Sequence, residues 1–98
     1  MALETEELAS FVVLAEQLHF GRASARLHIS QPALSKRIRS LEEKIGGPLL
    51  ARNRRGVALT PAGSMFYKEA RRIVHDVDIA FEAVAAPPAE SSEGFAWA

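Results

Sequence analysis

Gln31, Ser35, Lys36 and Arg39 fall within one nine-residue stretch, QPALSKRIR. On a helix, 31, 35 and 39 would stack at four-residue steps with Lys36 beside them. The amide of Gln offers a donor and an acceptor side by side; Ser offers both; Lys and Arg only donate. A second group follows at Arg52-Asn53-Arg54-Arg55-Gly56. Such side chains recognise polar edges and neutralise anions; they do not make or break bonds. The chain has no cysteine, which excludes disulfides, zinc knuckles and thiol catalysis. His19, His28 and His75 are scattered without metal-ligand spacing, so no metal site is expected. Ser35 and Ser64 lack a base-and-acid arrangement. Gly46-Gly47 and Gly63 form no phosphate-binding loop. The chain is therefore not expected to be an enzyme.

The charge distribution points the same way. The total is zero, but residues 1–20 carry −4, residues 21–55 carry +7 and residues 56–98 carry −3. A basic block inside a neutral chain favours a polyanion at one place on the surface. The 98 residues suffice for one modest core, at roughly 60% burial of the unfolded surface. No apolar run approaches the ~18 residues of a membrane span. The acidic start, MALETEEL, does not resemble a signal peptide. A cytoplasmic protein with no membrane partner is expected.

The elements that must position these groups can be read in order. Leu8, Phe11, Val12, Ala15 and Leu18 predict a helix over 5–18, with Thr5 as its cap and Glu6 and Glu7 in the first turn. This helix reads as scaffold. A short helix over about 21–27 turns Ala23 and Leu27 inward, and His28-Ile29-Ser30 makes a tight connection. Ser30 then caps a helix from about Gln31 to Ile45, with Pro32 in its first turn. Leu34, Ile38, Leu41 and Ile45 form its apolar stripe, and Gly46-Gly47-Pro48 stops it. Leu49-Leu50 and Val57 with Leu59 flank the basic run, which predicts a two-stranded hairpin with a basic tip. Thr60-Pro61 opens a long helix. Along it Phe66, Ala70, Ile73, Val77, Ala80 and Val84 recur at alternating steps of four and three, a heptad-like seam. From Pro61 to Ala85 such a helix is ~38 Å long. A core of this size cannot cover it all, so the seam is expected to pair with a second copy of itself. The stretch PPAESSEG that follows has the composition of a linker.

A short helix, a tight turn, a longer helix with a polar-basic face and a basic hairpin make helix-turn-helix order followed by a wing. This arrangement suits DNA. The major groove of B-form DNA admits one α-helix and displays a distinct pattern of donors and acceptors for each base pair. Gln pairs with N6 and N7 of adenine, and Lys donates to O6 and N7 of guanine. A helix start presents free N–H groups to phosphate. The hairpin arginines can reach an adjacent minor groove.

The run HFGRASARLHISQPALSKRIRSLEEKIGGPLLARNRRGVALTPAGSMFYKEARRI, residues 19–73, closely resembles the DNA-binding domain of LysR-type transcriptional regulators. The SQPALS segment, the LEEKIG helix end, the PLL stretch, the RRGVALTPAG wing and the long helix match in order and spacing. With the first helix, the resemblance covers about residues 4–86. It implies a mainly α fold: a winged helix-turn-helix of three helices and a two-stranded wing over 1–60, then a linker and dimerisation helix over 61–86. It implies further that residues 87–98 are a hinge and the beginning of an effector-binding domain. Carried over by position, Gln31, Pro32, Ser35 and Lys36 would contact bases or adjacent backbone, and Arg55 would enter the minor groove. Arg22, Ser30, Arg37, Arg39 and Arg54 would contact phosphate. Phe66, Ala70, Ile73, Val77, Ala80 and Val84 would pair the linker helices of a homodimer.

The resemblance implies a promoter duplex with an interrupted palindrome as partner, because a two-fold protein reads two-fold DNA. Tetramers are possible in complete members. No cofactor is expected in this segment, and a small-molecule effector is expected for the C-terminal domain. Two departures from the family pattern matter. Lys36 stands where Arg is usual, which removes bidentate guanine reading. Ser24 stands where Ala is usual, so its hydroxyl needs a partner, such as a carbonyl one turn back. The alternative to a DNA-binding module is a helical protein-interaction module that uses the seam and leaves the basic face solvated.

Overall fold

The computed structural model describes residues 4–85. The expected hinge and domain start at 87–98 lie outside them. The order is α1 (Thr5–Gln17), α2 (Phe20–Leu27), α3 (Gln31–Ile45), β1 (Leu50–Asn53), β2 (Gly56–Leu59) and α4 (Pro61–Ala85). The two strands pair antiparallel, with Leu50 opposite Leu59 and Asn53 opposite Gly56. This is a winged helix-turn-helix followed by a long helix, as the sequence predicts.

Glu4, not Thr5, is the residue that caps α1. Its backbone N–H donates to Glu7 Oε1 at 3.3 Å, so the acid three residues on reaches back to the cap. The helix ends at Gln17 because Leu18 turns left-handed (φ 49°), and Leu18 is exposed rather than inward. His19 then caps α2, its Nδ1 accepting from the Arg22 N–H at 3.0 Å. His28 (φ 59°) makes the turn between α2 and α3, and Ile29 N–H returns to Ser24 O at 3.0 Å. Ser30 Oγ accepts from Ala33 N–H at 3.2 Å and caps α3. Gly46 (φ +98°) closes α3, in the left-handed geometry that glycine adopts without penalty.

The core joins Leu8, Phe11, Val12, Leu14 and Ala15 of α1 to Ala23, Leu34, Ile38, Leu41, Leu49 and Ala70. Leu14 is wholly buried although it lies off the stripe expected from sequence, because α1 is covered on several sides. Ile45, expected inward, is exposed at the end of α3. Phe11 is fully buried with its ring 5.4 Å from that of Phe66, tilted by 52°. The base of the wing is stitched to the start of α4. Thr60 Oγ1 donates to Pro48 O at 2.8 Å and accepts from Gly63 N–H at 2.9 Å. A Cβ on Gly63 would lie 2.0 Å from Leu49 O, so only glycine lets α4 approach there.

Phe66 and Ala70 belong to this core and not to a free seam. Ala70 is fully buried, and Phe66, Tyr67 and Val74 pack against the cluster. Beyond them the same stripe runs clear of the head: Ile73, Val77 and Val84 are 42%, 47% and 55% exposed, and Ala80 is exposed as well. The heptad stripe therefore divides along its length, its first half packing the head and its second half open.

Candidate nucleic-acid interface

The outer face of α3 begins directly at the Ser30 cap. Gln31, Pro32, Lys36 and Arg39 are exposed on it, and Ser35 is half-buried. The side chains of Gln31, Lys36 and Arg39 make no hydrogen bond or ion pair within the described residues. At the same end Pro32 has no N–H and the Ala33 N–H is held by Ser30 Oγ, so the helix start offers an anion the positive end of its dipole rather than a row of free donors.

The wing stands beside this face. Its tip is Arg54-Arg55, both exposed. Asn53 Oδ1 accepts from Arg55 N–H at 2.8 Å and holds the turn. Gly56 (φ +122°) supplies a backbone conformation that other residues rarely adopt. The root of the wing is fixed from α3: Glu42 Oε2 accepts from Leu49 N–H at 2.8 Å and Leu50 N–H at 3.3 Å. Arg52 lies over the Phe20 ring at 3.9 Å, a cation–π contact that ties β1 to the start of α2. The tip arginines are thus free while the strands beneath them are anchored.

The back of α3 is clamped to α1. Glu7 is buried; its Oε2 accepts from Ser40 Oγ at 2.7 Å and its Oε1 from Lys44 Nζ at 2.8 Å. The Lys44 bond, followed by the Ser40 bond, holds the Glu7 carboxyl below the usual carboxylate range, against the opposing effect of burial. Arg37 Nη1 donates to Ser10 Oγ of α1 at 3.2 Å. Arg37 was expected at phosphate, but it sits half-buried between helices, off the outer face. Arg22 is exposed at the first turn of α2, with Nη2 3.4 Å from Gln17 O. Ser24, buried, donates to Gly21 O at 3.0 Å, the partner expected one turn back.

The structure thus brings Gln31, Pro32, Ser35, Lys36 and Arg39 onto one face, and sets Arg54 and Arg55 beside it. Sequence reasoning missed Glu7 and Glu42. Both look like surface acids in a periodicity count; the partners of Glu7 lie far along the chain, and those of Glu42 are backbone N–H groups beyond the end of its own helix. Among the described residues no group of His, Asp or Glu is placed to hold a metal ion, and no helix is long and apolar enough to cross a membrane.

A capped recognition-type helix flanked by an anchored basic wing defines a winged helix-turn-helix protein. Residues 5–64 match the family described as bacterial regulatory helix-turn-helix protein, lysR family. The transcriptional regulator YnfL of Escherichia coli is 54% identical over 78 residues, which are 80% of this chain and 26% of YnfL. The structure of Vibrio fischeri DarR in complex with DNA aligns with a TM-score of 0.80 at 34% identity, over 87% of this chain and 29% of that one. The BenM DBD in complex with benA site 1 DNA aligns with a TM-score of 0.78 at 37% identity, over 85% of this chain and 96% of that one. The chain belongs to the LysR family of bacterial regulatory helix-turn-helix proteins. It spans about a quarter of the length of YnfL.

Proposed function

We propose that this chain is the sequence-specific, double-stranded-DNA-binding module of a dimeric transcriptional regulator. The observation that carries the reading is the outer face of α3. The side chains of Gln31, Lys36 and Arg39 are exposed and uncommitted, while the back of the same helix is clamped to α1 by Glu7 and Arg37. A rigid helix with free polar side chains on one side is what a major groove accepts. In this reading Gln31, Pro32, Ser35 and Lys36 meet base edges. Arg55 enters the minor groove, and Ser30, Arg22, Arg39 and Arg54 hold phosphates. Arg37 supports α3 from behind. DarR and BenM, both similar in fold, were solved in complex with DNA, which supports DNA as the partner.

The exposed second half of the α4 stripe pairs with a second copy of the chain, so that two heads read two half-sites of an interrupted palindrome. In the complete regulator, an effector-binding domain senses a small molecule, and tetramers can form through it. The protein acts in the cytoplasm and has no catalytic role.

The test is a gel-shift assay on a duplex selected by the chain from a random pool, with a scrambled duplex as control. Gln31→Ala should cost ~1–3 kcal/mol on the selected site and relax preference at one base pair. Arg54→Ala should weaken both duplexes about equally and reduce the salt slope by ~0.9, one phosphate's worth. Equal losses on both duplexes for Gln31→Ala would reject its role in reading bases.

A further inference from the structure

Gly21 sits at the meeting point of α2 and α3. A Cβ built on it would lie 2.9 Å from His19 Cε1, 3.3 Å from His19 Nδ1 and 3.4 Å from Gln31 Nε2. The imidazole and the Gln31 amide thus flank one small space, which is empty only because residue 21 is glycine. The imidazole cannot swing away freely. Its Nδ1 accepts the Arg22 N–H at 3.0 Å, and losing that bond would uncap α2. Gln31, Gly21 and His19 together line a cleft of about 310 Å³ between α2, α3 and the wing. Arg52, Asn53 and Val57 line the far side of that cleft.

We propose that His19 and Gly21 are specificity-determining positions that act through Gln31: the capping ring and the missing side chain together fix where the Gln31 amide is presented. The inference rests on the DNA-binding reading above and extends it. A base contact made through an amide depends on where that amide starts, because its paired hydrogen bonds weaken as distance and angle depart from the optimum. A side chain at 21 must displace the ring, which its Cβ would meet at 2.9 Å, and a displaced ring alters the space that the amide borders at 3.4 Å, an ordinary contact distance. A smaller cap at 19 leaves α2 capped but opens the His19 side of the cleft that Gln31 also lines. Both residues are therefore positioning residues, and neither needs to touch DNA itself.

The test uses the full chain and a duplex it selects from a random pool, together with the same duplex altered at the one base pair where Gln31→Ala loses preference. The quantity read is the ratio of the two affinities; thermal melting confirms that each variant is folded. His19→Ser retains a capping oxygen and removes the ring, and should lower the ratio by about fivefold or more, the lower end of what one base contact is worth. In a Gln31→Ala background the same change should lower it no further. Gly21→Ala should also lower the ratio, and should lower it less when Ser replaces His19, because the serine leaves room. If Gly21→Ala fails to fold, the His19→Ser comparison with and without Gln31→Ala carries the test. An unchanged ratio in His19→Ser, or a loss that adds fully to that of Gln31→Ala, would overturn the proposal. A wild-type chain that prefers no duplex at all would bring down the DNA-binding reading as well, which separates the two failures.

Discussion

Replacing Glu7 should loosen the recognition helix without touching its outer face. The Glu7 side chain is 8% exposed and accepts from both Ser40 and Lys44. Hydrogen bonds to a charged acceptor are worth about 1.5–3 kcal/mol each. The Lys44 side chain is 29% exposed, so its bond falls toward the low end. Glu7→Ala should therefore cost about 2–4 kcal/mol. Glu7→Gln keeps an acceptor for Ser40 and loses the charge opposite Lys44, and should cost about 1–2 kcal/mol at neutral pH. The pH dependence follows from the lowered carboxyl pKa. A carboxyl held lower in the folded state than in the unfolded chain stabilises fully above its unfolded pKa. That contribution disappears as pH falls through the folded value. The gap between wild type and Glu7→Gln should thus be widest near pH 7 and close in acid, below the ordinary carboxylate range. Urea unfolding followed by circular dichroism, repeated from pH 7 down to pH 3, measures the gap directly. A gap of constant size across that range would refute the assignment, because the loss would then owe nothing to ionisation.

Two further perturbations bear on the long helix. Ile73→Glu or Val77→Glu should give folded monomers by light scattering and should weaken binding to a full palindrome far more than to a half-site. A persistent dimer would place the pairing surface elsewhere. Ala70→Glu should instead unfold the head, since Ala70 is fully buried; a folded Ala70→Glu monomer would contradict the division of the stripe. Gly63→Ala should cost about 3 kcal/mol by calorimetry, the upper end of overpacking, because the new methyl meets the Leu49 carbonyl, which cannot yield as a side chain could.

Local chemistry made much of the interface legible in advance. Ser30, Pro32 and Gly46 mark the ends of α3, and its observed span, Gln31–Ile45, is the one those residues predict. Thr60-Pro61 does the same for α4. Polar exposure at 31, 36 and 39 follows from the apolar stripe on the other side of the same helix. What was not legible depends on contacts distant in sequence. Glu7 and Lys44 are 37 positions apart, and nothing local tells an acid in a first turn from one buried beneath another helix. Arg37 looks like its basic neighbours until α1 is placed behind it with Ser10 in reach. The cap of α1 moved by one residue because Glu4 and Glu7 satisfy the helix start between them. Phe66 and Ile73 carry equal weight in a heptad count; only the extent of α1 decides which of them is covered.

The division of α4 has a mechanical consequence for how two heads could be set on one duplex. Phe66 and Ala70 anchor the helix in the head, and Ile73, Val77 and Val84 continue the same stripe beyond it. No glycine or proline lies between Ser64 and Ala85, so nothing in the sequence offers a hinge between the two halves. The surface proposed to pair is therefore a direct extension of the surface that packs Phe11. In a dimer formed through it, the crossing of the two α4 helices would fix the separation and tilt of both α3 helices. Half-site spacing would then be a property of side chains that never approach DNA. The wing adds a second constraint, because Gly63 holds the start of α4 against the backbone of Leu49, next to the strand that leads to Arg54 and Arg55. A change at the pairing surface would reach the major-groove helix through the core, and the minor-groove arginines through the junction where Thr60 and Gly63 meet Pro48 and Leu49.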